Sequence, residues 1–200
     1  MNAHANSARE VLSEAFLAPR EGAWRSLKRA ALVAVGVMLL ALAAKIRIPL
    51  WPVPVTMQTF AVLSIGAAYG PRLGLATVLA WLLLGAAGAN VFAAPSSGGL
   101  SYMLGDTGGY LFGFALAAAT LGALARRGWD RSPVKTAAML AIGNAVIYAP
   151  GLLWLALRHG FNAPVLEWGL YPFLVGDTIK LGLAAIAFPL AWRFARGARD

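Results

Sequence analysis

The sequence predicts an all-α integral membrane protein with six transmembrane helices. Of its 200 residues, 60% are hydrophobic and only 12% are charged, and the mean hydropathy is +0.68. The apolar residues fall into long runs that are separated by more polar links. A soluble domain of this size has too little interior for so much apolar surface, so the runs are predicted to cross a bilayer.

The spans follow from the length that a bilayer requires, which is about 20 mostly apolar residues per helix. Pro71 and Pro172 stand at the starts of the third and sixth runs, a position where proline favours the beginning of a helix. The six predicted spans are 28–46, 55–70, 72–88, 108–125, 134–157 and 172–193.

The positive charges predict the orientation. Of the 17 lysines and arginines, 13 lie in the terminal segments and even-numbered links, three lie in the opposite links and one lies within the sixth span. Cytoplasmic links carry the excess of these residues, so both termini are predicted to be cytoplasmic. The net charge of +9 is spread over links and forms no continuous basic face, which argues against nucleic acid as a partner.

The segment before the first span has its own helical pattern. Ser7 and Glu10 have the spacing of a capping box, and the helix that they would begin ends at Pro19. Its apolar face would consist of Val11, Leu12, Ala15 and Phe16. This pattern indicates a short interfacial helix on the inner leaflet, with a partly ordered tail as the alternative.

Missing residues exclude several functional classes. The chain has no cysteine and no G-x-x-x-x-G-K-[ST] phosphate loop, so thiol chemistry and the usual ATP hydrolysis are excluded. His4 and His159 have no partner at ligand spacing, and Ser96 and Ser97 lie outside any G-x-S-x-G motif. We therefore predict no catalytic residue, no metal site and no cofactor, and any ATP dependence would come from a partner.

Polar residues converge on the outer side once the spans have a direction. Thr56 and Gln58 lie in the first turn of span two, Asn90 follows span three, and Thr107 begins span four. The external links 47–54, 89–109 and 158–172 are rich in proline, glycine and aromatic residues. They are either ordinary flexible loops or segments that fold back over a membrane pocket. The pairs Gly98-Gly99 and Gly108-Gly109 would permit tight turns or a close approach to a ligand.

Asp177 and Lys180 are the charged residues inside the sixth span. At 1.5 Å per residue they lie roughly 8 and 12 Å inward from Pro172, and their three-residue spacing puts both on one helix face. A pair kept only for packing gains little, because desolvation costs about as much as the attraction returns. The alternatives are a neutralising ion pair and one wall of a cavity for a polar ligand.

Two further sets of residues suit helix contacts. Asn144 and Tyr148, one turn apart in span five, could extend this cavity or form interhelical hydrogen bonds. Ala30 and Ala34 form a small-xxx-small face in span one, which permits close approach of another helix.

Four motifs resemble the BioY family of biotin-binding S-components of energy-coupling factor (ECF) transporters. They occur in family order and are PVPVTMQTF (52–60), GAAYGPRLG (66–74), GGLSYMLGDTGGYLFGF (98–114) and GDTIK (176–180). The resemblance implies an ECF S-component-like fold and a transport protein rather than an enzyme. Such a protein captures biotin from outside at high affinity and delivers it inward with an energy-coupling transmembrane subunit and a pair of cytoplasmic ATPases.

The resemblance also implies which residues contact the ligand. The family's contacts correspond to Asn90, Asp177 and Lys180, and further candidates within the motifs are Thr56, Gln58, Gly99 and Tyr110. Ala30 and Ala34 correspond to the face that meets the energising membrane subunit. The chain departs from the family where Asp106 replaces a proline, and it has no arginine between Arg72 and Arg126, near the fourth helix, where some relatives use one for ligand contact. Backbone N–H groups around residues 98–109 or at the start of span four are candidates for holding the biotin carboxylate, since helix starts favour anions.

The predicted organisation follows from these expectations. Residues 1–29 form a cytoplasmic N-terminal segment, residues 30–195 the transmembrane substrate-binding domain and residues 196–200 a cytoplasmic tail. The location is a bacterial cell (inner) membrane, with the lipid bilayer around the helices. An ion-coupled secondary carrier for another small solute is the alternative function, since intramembrane carboxylates often couple proton or sodium movement.

Overall fold

The computed structural model describes residues 10–16, 22–93 and 99–197. A short helix at the N-terminus and two extramembrane helices accompany five long helices, a two-stranded hairpin and one 3-10 turn. In chain order these elements are α1 (Leu12–Phe16), α2 (Ala23–Lys45), β1 (Arg47–Ile48), β2 (Val55–Thr56), α3 (Gln58–Ala86), α4 (Gly99–Met103), α5 (Gly108–Ala125), the 3-10 turn Trp129–Arg131, α6 (Pro133–His159), α7 (Val165–Gly169) and α8 (Tyr171–Gly197).

The α3 segment covers two of the predicted spans. Its backbone leaves the helical conformation at Gly70, where φ is 81° and ψ is 174°, and Pro71 begins the second half. A Cβ added to Gly74 would lie 3.0 Å from the Gly66 Cα, although eight residues of continuous helix rise about 12 Å. The two halves therefore fold back on each other as a helical hairpin.

The predicted all-helical membrane fold is confirmed. Within the described residues, five helices are long and apolar enough to cross a membrane, and the hairpin in α3 supplies the sixth helical segment. The predicted fourth span, 108–125, matches α5, whereas α2, α6 and α8 extend beyond their predicted bounds by one to five residues at one or both ends.

The first external link and the start of the predicted span two form a two-stranded hairpin, so Thr56 lies in a strand and the prediction that it lies in the first turn of a helix is wrong. Arg47 pairs with Thr56, and Ile48 pairs with Val55, in an antiparallel hairpin. The β-branched residues Ile48, Val55 and Thr56 favour extended backbone. This hairpin brings residue 47 beside residue 56, at the start of α3.

The centre of the bundle is formed by α3, α5 and α6, which pack closely through glycines. A Cβ on Gly66 would lie 2.8 Å from the Ala118 backbone, and one on Gly113 would lie 2.8 Å from the Ile147 backbone. The α2 and α8 helices lie further out and expose large apolar side chains such as Leu42 (64%) and Val175 (73%). Such surfaces suit lipid or a protein partner.

The predicted N-terminal helix is present in part. Val11, Leu12 and Ala15 are buried against the bundle, whereas Phe16 is 55% exposed. Phe16 lies further round the helix, so it does not share the packed face. Ser7 and Pro19, the predicted ends of this helix, lie outside the described residues.

Candidate functional site

An ion pair on α8 forms the polar centre of the candidate site. The Lys180 Nζ lies 2.9 Å from Asp177 Oδ1. Asp177 is 5% exposed, so its charge has little access to solvent. The pair combines a carboxylate acceptor with an ammonium donor on the same helix face.

Two other helices complete the surroundings of Asp177. The Thr59 hydroxyl of α3 donates to Asp177 Oδ1 at 3.2 Å, and the Tyr148 hydroxyl of α6 donates to Asp177 Oδ2. The Lys180 ammonium also donates to the Thr59 hydroxyl at 3.2 Å and to the Thr56 carbonyl at 2.9 Å. These contacts hold three helices around one buried carboxylate.

A cavity that is partly open to solvent lies beside this centre. Its walls are apolar and aromatic with a few neutral polar groups, which is the usual character of small-molecule sites. The lining residues are Val53, Pro54, Thr56, Gln58, Thr59, Tyr102, Thr107, Tyr110, Leu111, Phe114, Tyr148 and Phe173.

Aromatic rings fix the shape of one wall. Phe173 stacks on Tyr110 with ring centroids 6.2 Å apart and meets Tyr148 edge-on at 6.1 Å. The Tyr110 hydroxyl donates to the Gly169 carbonyl at 2.8 Å, which anchors that ring to the link before α8. This wall can pack against an apolar ring system.

Gln58 contributes a buried amide to the same cavity. Its side chain is 4% exposed, and its Oε1 accepts a hydrogen bond from the Thr56 hydroxyl at 3.3 Å. Within the described residues its Nε2 has no hydrogen-bond partner. Since buried donors are rarely left unpaired, this amide is available to a ligand acceptor.

A second, smaller cavity lies on the other side of Thr59. Asp177, Lys180 and Asn144 are among its lining residues. The buried Asn144 Oδ1 has no partner in the described part of the chain. The ion pair therefore lines the smaller cavity, Tyr148 lines the larger one, and Thr59 lines both.

Asn90 and Gly99 lie apart from these cavities. The Lys45 ammonium donates to Asn90 Oδ1 at 2.7 Å and to the Phe92 carbonyl at 2.8 Å, which fastens the loop after α3 to the end of α2. Gly99 begins α4 with φ of 78°, and a Cβ there would meet nothing within 4 Å. Neither Asn90 nor Gly99 lines either cavity, and Gly98 lies outside the described residues. The predicted site residues that line one cavity or the other are Thr56, Gln58, Tyr110, Asp177 and Lys180.

Tyr102 forms the outer wall of the larger cavity. Its ring stacks on Phe92 with centroids 5.0 Å apart. Burial raises the pKa of Tyr102, and this rise is opposed by hydrogen bonds with Thr107 and the Ala93 backbone and by the Arg47 charge. Tyr102 therefore connects the cavity to the loop after α3 and to the β-hairpin.

The three external links contact one another through charged and aromatic side chains. Asp106 accepts a hydrogen bond from Arg158 at 2.9 Å and lies 2.8 Å from His159 Nε2. Burial alone would raise the pKa of Asp106, but its hydrogen bonds with His159 and Arg158 outweigh this and lower it. The rings of Trp51 and Trp168 both lie edge-on to His159. The Asp106 that replaces a family proline is thus a link between loops.

Sequence reasoning did not select Thr59 and treated Tyr148 mainly as a helix contact. Thr59 lies one residue after Gln58 in the motif PVPVTMQTF, so its place in the motif is the signal that could have identified it. The alternatives for Tyr148 are both realised, since it bonds across helices to Asp177 and also lines the larger cavity.

No three His, Asp or Glu side chains of residues 10–16, 22–93 and 99–197 come together as potential metal ligands.

Comparison with known proteins identifies relatives of this chain. The model of the BioY family matches residues 13–197. A protein of Pyrococcus horikoshii named "Probable biotin transporter BioY" is 39% identical over 159 residues, which are 80% of this chain and 93% of that protein. The "Biotin transporter BioY" of Thermotoga maritima is 38% identical over 148 residues, or 74% of this chain and 86% of that protein.

A solved structure has the same fold. It is the crystal structure of the S-component for biotin from an ECF-type ABC transporter, with a TM-score of 0.70 and 22% identity over 87% of this chain and 95% of that one. The relatives are named as transporters, which agrees with the prediction that the chain is not an enzyme.

Proposed function

The chain belongs to the BioY family, and on this premise we propose that it is the biotin-capturing membrane subunit of a vitamin uptake transporter. It binds biotin from the outer side of the membrane and delivers it inward with an energy-coupling transmembrane subunit and two cytoplasmic ATPases. Relatives named for biotin transport support the choice of ligand.

One observation carries the proposal: an aromatic cavity shares Thr59 with a second cavity, which the Asp177 and Lys180 ion pair lines. The ureido group of biotin has two N–H donors and one carbonyl acceptor. Asp177 is an acceptor for the N–H groups, and the Gln58 Nε2, which has no partner within the described residues, is a donor for the carbonyl. The three N–H donors of Lys180 bond to Asp177, Thr59 and the Thr56 carbonyl, so the ammonium binds the ligand carbonyl by exchanging one of these bonds. The ring system of biotin packs against Tyr110, Tyr148 and Phe173.

The remaining candidates have roles at the entrance to the site. Thr56 holds Lys180 through its carbonyl and therefore positions the ammonium. We assign Asn90 and Gly99 to the outer loops that close over biotin after it enters.

The orientation in the proposal follows the lysine and arginine distribution. Thirteen of these residues fall on the side of the termini and three on the opposite side, so both termini are cytoplasmic. The cavity then opens outward, and the turn at Gly70 faces the cytoplasm. The chain is a multi-pass protein of the cell membrane.

The energising partner binds at α2. Ala30 and Ala34 are both exposed on this helix, and small residues at this spacing let another helix approach closely. The chain lacks a phosphate loop, so the energy for release comes from the partner's ATPases.

Replacing Ala34 with Trp is expected to lower biotin uptake by roughly tenfold while biotin binding stays unchanged, because the indole blocks a close helix contact. Uptake is measured in cells that produce the chain with its energising subunits. The matched control is Ala187→Trp on the exposed face of α8. Equal loss of uptake in both variants would reject the assigned interface.

Titration of the purified chain with labelled biotin tests the central proposal. We expect saturable binding tighter than about 1 μM, the affinity required for capture from dilute solution. Biocytin and thiamine serve as a larger and an unrelated competitor. Binding weaker than micromolar, or equal competition by thiamine, would reject biotin as the ligand.

A further inference from the structure

Within the described part of the chain, the residues that line the larger cavity supply no cation for the carboxylate of biotin. Among the described residues that line the larger cavity, every polar side chain is neutral. Lys180 is already paired with Asp177. The stretch between Arg72 and Arg126 contains no lysine or arginine.

Arg47 lies beside a residue that lines this cavity. It pairs with Thr56 in the β-hairpin, and Thr56 is a lining residue. The Arg47 Nη1 donates to the Ala93 carbonyl. The Ala93 backbone is also hydrogen-bonded to the Tyr102 hydroxyl, and the positive charge of Arg47 favours a lower pKa of that hydroxyl. The Arg47 guanidinium and the Tyr102 hydroxyl therefore both bond to the backbone of Ala93.

The charge of Arg47 is not neutralised within the described residues. No salt bridge there includes it, and its contact with Ala93 uses one of its five N–H donors. The nearby Lys45 is engaged differently, because its ammonium bonds to Asn90 and to the Phe92 carbonyl. Arg47 thus keeps donors for an anion, in the planar arrangement that matches a carboxylate.

Lys180 and Arg47 both lie next to Thr56, a residue that lines the cavity. The Thr56 carbonyl accepts from Lys180 on one side, and its strand pairs with Arg47 on the other. We propose that Arg47 binds the carboxylate of the ligand and so makes the site selective for an elongated monoanion whose polar ring lies at Asp177 and Lys180. This inference rests on the proposed function and adds a residue that determines specificity.

The test compares biotin with biotinamide, in which a neutral carboxamide replaces the carboxylate. The purified wild-type chain is expected to bind biotin about 10- to 100-fold more tightly than biotinamide, the range for a charge-assisted hydrogen bond. In Arg47→Gln the affinity for biotin falls by about the same factor, whereas the affinity for biotinamide changes less than about threefold. Arg158→Gln, which removes an outer cation that pairs with Asp106, should leave the preference intact.

Three outcomes overturn the inference: a wild-type chain that does not discriminate between the ligands, an Arg47→Gln variant that keeps the preference, or one that weakens both ligands equally. The wild-type comparison needs no variant, and Arg47→Lys, expected to retain part of the preference, serves if Arg47→Gln does not fold. A wild-type chain that binds neither ligand would instead reject the proposed function.

Discussion

Asp177→Asn is expected to weaken biotin binding by at least about 100-fold. The carboxylate accepts hydrogen bonds from Thr59, Tyr148 and Lys180, and removing one charge of a buried pair costs about 3 to 5 kcal/mol. The amide that replaces the carboxylate also places N–H donors opposite the N–H donors of the ureido group, and two donors cannot bond to each other. Equilibrium binding of labelled biotin to the purified variant measures the loss, and an affinity within threefold of wild type would show that Asp177 is not a ligand acceptor.

A second variant separates ligand contact from structural neutralisation. Asp177→Asn alone leaves the Lys180 ammonium without its carboxylate, which also destabilises the fold. The double variant Asp177→Asn, Lys180→Met removes both charges, so its melting temperature is expected to return towards that of wild type while biotin binding stays lost. If the double variant regained biotin binding, Asp177 and Lys180 would be a structural ion pair that only neutralises its own charges.

Gly122→Ala is expected to destabilise the fold much more than Gly182→Ala does. A Cβ at this position would lie 2.3 Å from the Gly70 carbonyl carbon and the Pro71 nitrogen, and backbone atoms cannot rotate away. Overpacking of this kind costs about 1 to 3 kcal/mol, which lowers the melting temperature of a chain this size by roughly 2 to 12 °C. Thermal unfolding in detergent, followed by size-exclusion chromatography, measures the change.

Gly182→Ala is the matched control, because it is the same substitution in a membrane helix with nothing within 4 Å of the added Cβ. Alanine is favoured over glycine inside a helix by roughly 0.5 to 1 kcal/mol, so this variant should be as stable as wild type or slightly more stable. Equal destabilisation by both variants would mean that the hairpin corner at Gly70 is not packed against α5.

The helical spans were predictable because transfer into a bilayer depends on local composition. Span four is an example, since residues 108–125 form one helix as predicted. The break before Pro71 was also predictable from the glycine and proline together, and the backbone turns at Gly70. The hairpin of Arg47 and Thr56 was not, because two-residue strands carry too short a pattern to distinguish them from a loop.

The candidate site was predictable only in part. The spacing of Asp177 and Lys180 predicted one shared helix face, and their ion pair is formed. The partners of Asp177 were less accessible to sequence reasoning, because Thr59 is 118 residues away in the chain. Asn90 shares an outer position with the site but bonds to Lys45, a contact between loops that no local spacing encodes.

By itself, the sequence determined the membrane class, the positions of most spans and the pairing of Asp177 with Lys180. These depend on hydropathy summed over a window and on the 3.6-residue turn, which are properties of neighbouring residues. Only the tertiary structure decided that Thr59 and Tyr148 meet Asp177, and that Arg47 lies beside Thr56, which lines the aromatic cavity. Such contacts depend on how each helix is rotated and where it crosses its neighbours, and close packing at glycines sets both.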